Sequence, residues 1–195
     1  MNSRERILQA VKASQPEGVP LPDLDALAAP RPVDLEGYRK VTESMGSRLL
    51  EIRHESEIPA LVRQHLPGIT QVIAVNPDWY GGNIPADWQT GDGRQLQQAD
   101  LAIVKARLGI AENGALWITE EELQVRVLPF IAQHLAVVLA AEDLVPTMHH
   151  AYERIGNQHT GFGVFIAGPS KTADIEQSLV LGAHGAKSLT IFLRL

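Results

Sequence analysis

The sequence predicts an α/β domain built on a mostly parallel sheet with helices on its faces, a Rossmann-like three-layer arrangement. Two observations carry the prediction. Apolar β-rich runs at Arg48–Arg53, Thr70–Val75, Asp100–Lys105 and Leu135–Leu139 alternate with amphipathic stretches and loops, and near-continuous apolar runs are what strands covered on both faces require. The closing stretch, Gly161–Leu195, reads as strand, glycine turn, helix, strand, the order of a βαβ unit with parallel strands. A chain of 195 residues fits one domain and buries roughly 70% of its unfolded surface.

Each element has a local reason. Ile7, Leu8 and Val11 fall at helical spacing, so residues 3–13 form a short helix whose apolar stripe needs a partner. Ser14–Val33 holds Pro16, Pro20, Pro22, Pro30 and Pro32; it is an extended arm, lying over the surface or reaching another subunit. Residues 1–33 are therefore read as an N-terminal helix and arm, and 34–195 as the α/β domain. Asp34–Ser47 follows as a helix, with Leu35, Tyr38, Val41 and Met45 on one side. Arg48–Arg53 is a strand, Ser56–His65 a helix stopped by Pro67-Gly68, and Thr70–Val75 a strand ended by Asn76-Pro77. The loop Asn76–Gly93 carries Trp79, Tyr80 and Trp88 among glycines, aromatics that either cover a pocket or seal the loop onto the core. Asp100–Lys105 is the next strand, Ala111–Gly114 a turn and Ala115–Thr119 a strand, followed by a polar turn at Glu120–Glu122. Leu135–Leu139 is a buried strand and Asp143–Ile155 an amphipathic helix.

Gly163–Ala167 is a strand, and Gly168 allows the sharp bend after it. Ser170 or Thr172 caps a helix whose positive end carries Asp174 and Glu176. Free N–H groups there attract anions and Lys171 adds a cation, whereas the two acids compete with that use. Gly182–Gly185 ends the helix, with His184 at its negative end, and Ser188–Leu195 is the closing strand.

Gly168-Pro169-Ser170-Lys171-Thr172-Ala173-Asp174-Ile175-Glu176, with Leu181-Gly182-Ala183-His184-Gly185 a few residues later, resembles the terminal signature of the LUD-domain family, and within it the lactate-utilization C-type branch. Ile110-Ala111-Glu112-Asn113-Gly114 is similar to a second family stretch; here Asn113 and Ala115 stand where relatives usually have threonine. The resemblance covers roughly 37–195, weakly at first and firmly after Asp100. It implies the fold of CoA transferases, ribose-5-phosphate isomerase and formyltetrahydrofolate cyclo-ligase. It also implies a component of a bacterial iron–sulfur-dependent system that oxidises L-lactate to pyruvate, with the clusters on partner subunits. AENG resembles, without its serine, the motif in which a CoA-transferase glutamate attacks a thioester.

Glu112 is the first candidate for chemistry, as base, nucleophile, ligand contact or turn-holding group. His184 is the second, and the pair shuttles a proton if the two turns meet. Asn113, Gly114, Gly168, Ser170, Lys171, Thr172, Asp174 and Glu176 are candidates for binding a small carboxylate or nucleotide-like ligand. The competing expectation is a free-standing acyl-CoA transferase or cyclo-ligase-like enzyme using Glu112. Arg126 either meets a carboxylate bidentately or forms a surface salt bridge.

The exclusions are equally useful. With no cysteine, this chain ligates no Cys-held cluster, offers no thiol nucleophile and forms no disulfide. His149 and His150 are neighbours on a helix and lack the i, i+4 spacing of a zinc pair, so no metal is expected. There is no G-x-G-x-x-G, hence no nicotinamide site, and no resident cofactor is expected. A net charge of −6 disfavours nucleic acid and membrane surfaces as partners. No run approaches the length of a membrane span, and residues 1–14 lack the apolar centre of a signal peptide. A cytoplasmic location is the expectation.

Overall fold

The computed structural model describes residues 2–20, 22–23, 32–80, 92–158, 160–173 and 179–195. The α/β character read from the sequence is what is found. In chain order the elements are α1 (Ser3–Ala13), α2 (Leu35–Ser44), β1 (Arg48–Ile52), α3 (Ile58–His65), β2 (Val72–Ala74), β3 (Leu101–Lys105), β4 (Leu108–Ile110), β5 (Leu116–Thr119) and the single turn α4 (Glu120–Leu123). The single turn α5 (Leu128–Ile131), β6 (His134–Ala140), β7 (Leu144–Val145), α6 (Met148–Ile155), β8 (Gly163–Ile166), β9 (Lys171–Ala173), β10 (Leu179–Leu181) and β11 (Ser188–Arg194) complete it.

The central sheet has the order β1-β11-β6-β3-β2 with every pairing parallel. Its strands are apolar on both faces because both faces are covered. Leu50, Ile52, Leu101, Ile103, Val138 and Phe192 point to one side, against Ile58 and Val62 of α3 and against Trp79. Leu49, Ala102, Val104, Val137, Ile191 and Leu193 point to the other, against Tyr38 of α2, Leu116 and Ile118 of β5, and Leu123 and Leu128 of the short helices. That second covering layer includes a four-stranded sheet, β7-β4-β5-β8, in which β4 and β8 run antiparallel to β5.

Local chemistry explains the helix starts. Asn2 accepts from the Glu5 N–H at 2.9 Å while the Glu5 carboxylate accepts from the Asn2 N–H at 2.9 Å, a capping box for α1. Asp34 caps α2 at 3.1 Å. No residue of α1 is buried, and residues 14–20 of the proline-rich arm are exposed and without regular structure. The rest of the arm lies largely outside the described residues.

Two packing details give predictions. The Tyr38 hydroxyl is buried with no hydrogen-bond partner among the described residues, and burial pushes its ionisation well up. An unsatisfied buried donor is costly, so Tyr38→Phe is expected to raise stability by about 1 kcal/mol and Tm by about 2–4 °C; a lower melting temperature would show that the hydroxyl is satisfied. At the amino ends of β2 and β3, the Asp100 carboxylate accepts from the Thr70 N–H at 2.9 Å, the Thr70 hydroxyl at 2.8 Å and the Gln71 N–H at 2.9 Å. The bonds to Gln71 and Thr70 hold its carboxyl below the ordinary aspartate range. A carboxyl depressed in the folded state contributes stability above its unfolded pKa and loses it as pH falls through the folded value. Asp100→Ala is expected to cost about 1 kcal/mol at neutral pH, discounted for partial exposure. It should flatten the acid side of the stability curve below about pH 4. Parallel wild-type and variant curves through that window would exclude it.

The C-terminal reading requires correction. β8 does not lie parallel to β11: it pairs antiparallel with β5 in the second sheet, with Leu116 opposite Ile166, while β11 has β1 and β6 on its two sides. Nor does a helix begin at Thr172. Lys171–Ala173 and Leu179–Leu181 form an antiparallel pair, with Thr172 opposite Val180. Helix-favouring composition there is overridden by tertiary bonds: Ser170 N–H to the Ala186 carbonyl at 2.8 Å and Gly182 N–H to the Ser170 carbonyl at 3.0 Å. Asp174 and Glu176 lie outside the described residues. Of the loop Asn76–Gly93, residues 81–91, including Trp88, also lie outside them. Trp79 is buried and donates its ring N–H to Glu55 at 2.5 Å, sealing the core.

Candidate functional site

The β5–β8 register decides what the candidate residues can do together. With Leu116 opposite Ile166, Gly114 (two residues before Leu116) and Gly168 (two after Ile166) stand at the same end of the second sheet. Both turns pack on the C-terminal half of α2. A Cβ on Gly114 would lie 3.2 Å from Thr42 Cγ2, and one on Gly168 would lie 2.6 Å from the Met45 carbonyl oxygen. Lys171 completes this docking by donating from Nζ to the same Met45 oxygen at 2.6 Å. A cation at a helix C-terminus satisfies a free carbonyl and complements the dipole. The anion-binding helix start expected around Lys171 is replaced by this contact.

The first turn is tightly self-contained. Asn113 Oδ1 accepts from the Ala115 N–H at 3.0 Å, and the Gly114 N–H donates to the Ile110 carbonyl at 2.9 Å. Glu112 is exposed, and its Oε1 accepts from the Met148 N–H at 2.6 Å. The carboxylate thus sits at the positive end of α6, a favourable place for an anion.

Beside the second turn is a cavity of about 270 Å³. Its walls include Phe130, Leu135, Val164 and Leu189, and its rim carries Ser170 and His184. A hydroxyl and an imidazole over an apolar floor suit a small amphipathic ligand or an inserted side chain. The volume lies below the roughly 300–1,000 Å³ of pockets that enclose drug-sized ligands, so it does not enclose a nucleotide cofactor. His184 is exposed and lies in the loop between β10 and β11, not at a helix end. Glu112 does not line this cavity; the two family-signature turns are neighbours, yet their ionisable groups do not share a pocket. Thr172 is on β9, paired with Val180.

Arg126 and His150 have structural partners. Arg126 donates to both oxygens of Glu120, each at 2.9 Å, the salt-bridge outcome. The Arg126 side chain hydrogen-bonds the Glu120 carboxyl and holds it below the ordinary range. His150 Nδ1 lies 2.8 Å from the Thr147 hydroxyl at the start of α6. Among the described residues no group of three or more His, Asp or Glu is placed to hold a metal ion, and no helix is long and apolar enough to cross a membrane. Sequence reasoning passed over Lys105, the charged residue closing the apolar run of β3 at the sheet's carboxyl edge; that position was the available signal.

Comparison with known proteins gives a consistent picture. The model of the LUD domain family matches residues 36–193. Lactate utilization protein C of Oceanobacillus iheyensis is 28% identical over 114 residues, covering 53% of this chain and 48% of that one. The protein of the same name from Bacillus pumilus is 34% identical over 98 residues, covering 47% and 41%. That of Geobacillus sp. strain WCH70 is 28% identical over 134 residues, covering 63% and 55%. The chain spans about half the length of the curated relatives it matches. A crystal structure of a DUF162 family protein from Deinococcus radiodurans superposes with a TM-score of 0.63 at 18% identity, covering 83% of this chain and 96% of that one; this likeness shows the fold.

Proposed function

This chain belongs to the LUD domain family, and on that premise we propose that it serves lactate utilization as a binding component, a subunit or accessory factor of an iron–sulfur-dependent system oxidising L-lactate to pyruvate. The two electrons leaving lactate need a redox carrier, and Cys-ligated clusters belong in this reading to partner subunits, because the chain has no cysteine. What carries the reading is the convergence of the two signature turns on one end of β5 and β8, against α2, with a small cavity of mixed polarity beside them. The name of the curated relatives supplies the metabolic setting. A binding role also accommodates Glu112, whose carboxylate is already engaged by the backbone of α6.

Mixing the purified chain with the cluster-bearing proteins of the same lactate system, followed by size-exclusion chromatography, is expected to give a stable complex. Thermal shift against L-lactate, pyruvate, CoA, acyl-CoAs and ATP, repeated with Glu112→Gln, separates this role from the transferase. Stabilisation by L-lactate or pyruvate that survives the substitution supports binding. Stabilisation by CoA lost in Glu112→Gln, together with acyl exchange by the chain alone, overturns it.

A further inference from the structure

We propose that the crevice where the chain passes from the parallel sheet to the second sheet is a binding site for a small organic monocarboxylate, received by Lys105. This inference deepens the functional reading above by naming a site for a small carboxylate, and it is argued from position, charge and wall chemistry.

Position comes first. β3 ends at Lys105, the Ala106 N–H donates to the Val138 carbonyl of β6 at 3.0 Å, and the Arg107 N–H donates to the Trp117 carbonyl of β5 at 2.9 Å. The chain therefore leaves one sheet for the other within two residues, and a hollow of about 410 Å³ opens between them. It lies at the carboxyl edge of an open parallel sheet, the usual place for a ligand in such folds.

Charge comes second. Lys105, Arg107 and Arg154 line the hollow with Glu122 and Asp143, and Glu121 reaches Arg107 from outside the lining, so three cations meet three carboxylates. Arg107 is held by Glu121 and by Glu122, the latter at 2.5 Å, and Arg154 donates to Asp143 at 2.6 Å. Among the described residues the exposed Lys105 alone of these charges has no hydrogen bond or ion pair. Its three N–H donors are unspent, and a carboxylate there would form a charge-assisted bond. On the other side of Lys105 a second hollow is lined by Glu55, Glu121 and Glu122. Glu122 lines both hollows, so Glu55 and Glu121 are the carboxylates that bias an anion toward the Arg107 and Arg154 side.

Wall chemistry sets the class. Leu108, Trp117 and Ile155 give the hollow an apolar side, and the Trp117 ring is held against Phe165 with centroids 4.5 Å apart. One unspent positive charge beside an apolar wall suits a single carboxylate on a short carbon body. The Glu122 and Asp143 carboxylates disfavour a dianion such as hydrogen phosphate, and the volume is near the lower end of the roughly 300–1,000 Å³ typical of ligand pockets, too small to enclose a nucleotide.

The test titrates the full chain at low ionic strength with acetate, pyruvate, benzoate and inorganic phosphate, followed by calorimetry. Saturable binding of pyruvate or benzoate is expected, with phosphate a poor competitor. Lys105→Met should weaken it at least about tenfold while leaving the melting temperature unchanged, because the side chain has no partner among the described residues to lose. Lys105→Arg should stay within about threefold, since the charge remains. Ser170→Ala and His184→Ala should leave it unaltered. Absence of saturable binding, equal affinity in Lys105→Met, or displacement by phosphate as effective as by pyruvate overturns the proposal; so does loss in the Ser170 and His184 variants, which would put the ligand in the other cavity. Failure to form a complex with cluster-bearing proteins would sink the functional reading and leave this measurement standing.

Discussion

Phe192→Ala is expected to destabilise the protein by about 3–5 kcal/mol, lowering Tm by about 6–20 °C. Phe192 is 1% exposed, lies in β11 between Leu50 of β1 and Val138 of β6, and packs in the cluster that joins α3 to the parallel sheet. Truncation removes a ring's worth of contacts and leaves a void that flanking strands, fixed by their ladders, cannot close. Ile7→Ala is the natural comparator. Ile7 is 63% exposed on a helix with no buried residue, so its loss should change stability by less than about 0.5 kcal/mol. Chemical denaturation of both variants decides the matter; a comparable loss in the two would mean that α1 belongs to the core.

Gly168→Ala is the second large effect, with an expected cost of about 3 kcal/mol and a Tm lower by about 6–12 °C. Two terms act together. Gly168 has φ +75°, in the left-handed region, where a Cβ costs about 1–2 kcal/mol. That Cβ would also stand 2.6 Å from the Met45 carbonyl oxygen, a backbone atom that already accepts from Lys171. Gly46→Ala isolates the first term: φ is +90°, yet the nearest atom, in the Pro169 ring, is at an ordinary 3.4 Å. Gly46→Ala should therefore lose only about 1–2 kcal/mol. Equal losses at the two positions would show that the turn can move away from α2.

Much of the fold was legible because its signals are local. The apolar runs LAIV and LAVVL, read as strands covered on both faces, are β3 and β6 of the parallel sheet. Asp34 marks the start of α2. Lys171–Ala173 and Leu179–Leu181 are strands where the local residues suit a helix, and nothing local announces the Met45 carbonyl, the Ala186 carbonyl or the facing strand. The site shows the same division. AENG and GPSK were visible as unusual turns, but their adjacency comes from the antiparallel register of β5 and β8, and the separation of Glu112 from His184 from the way each turn docks.

The sequence by itself determined the class of the fold, its family membership, the absence of thiol chemistry and the two turns worth inspecting. These depend on composition, on period and on short motifs, all of which are carried by neighbouring residues. Only the tertiary structure decided that Lys171 holds the end of α2, that Glu112 caps α6, and that Lys105 lines a crevice with no side-chain partner among the described residues. A charge's role depends on which opposite charge or carbonyl lies within hydrogen-bond reach. That distance is set by strands and helices up to 139 positions away along the chain, and no local pattern records it.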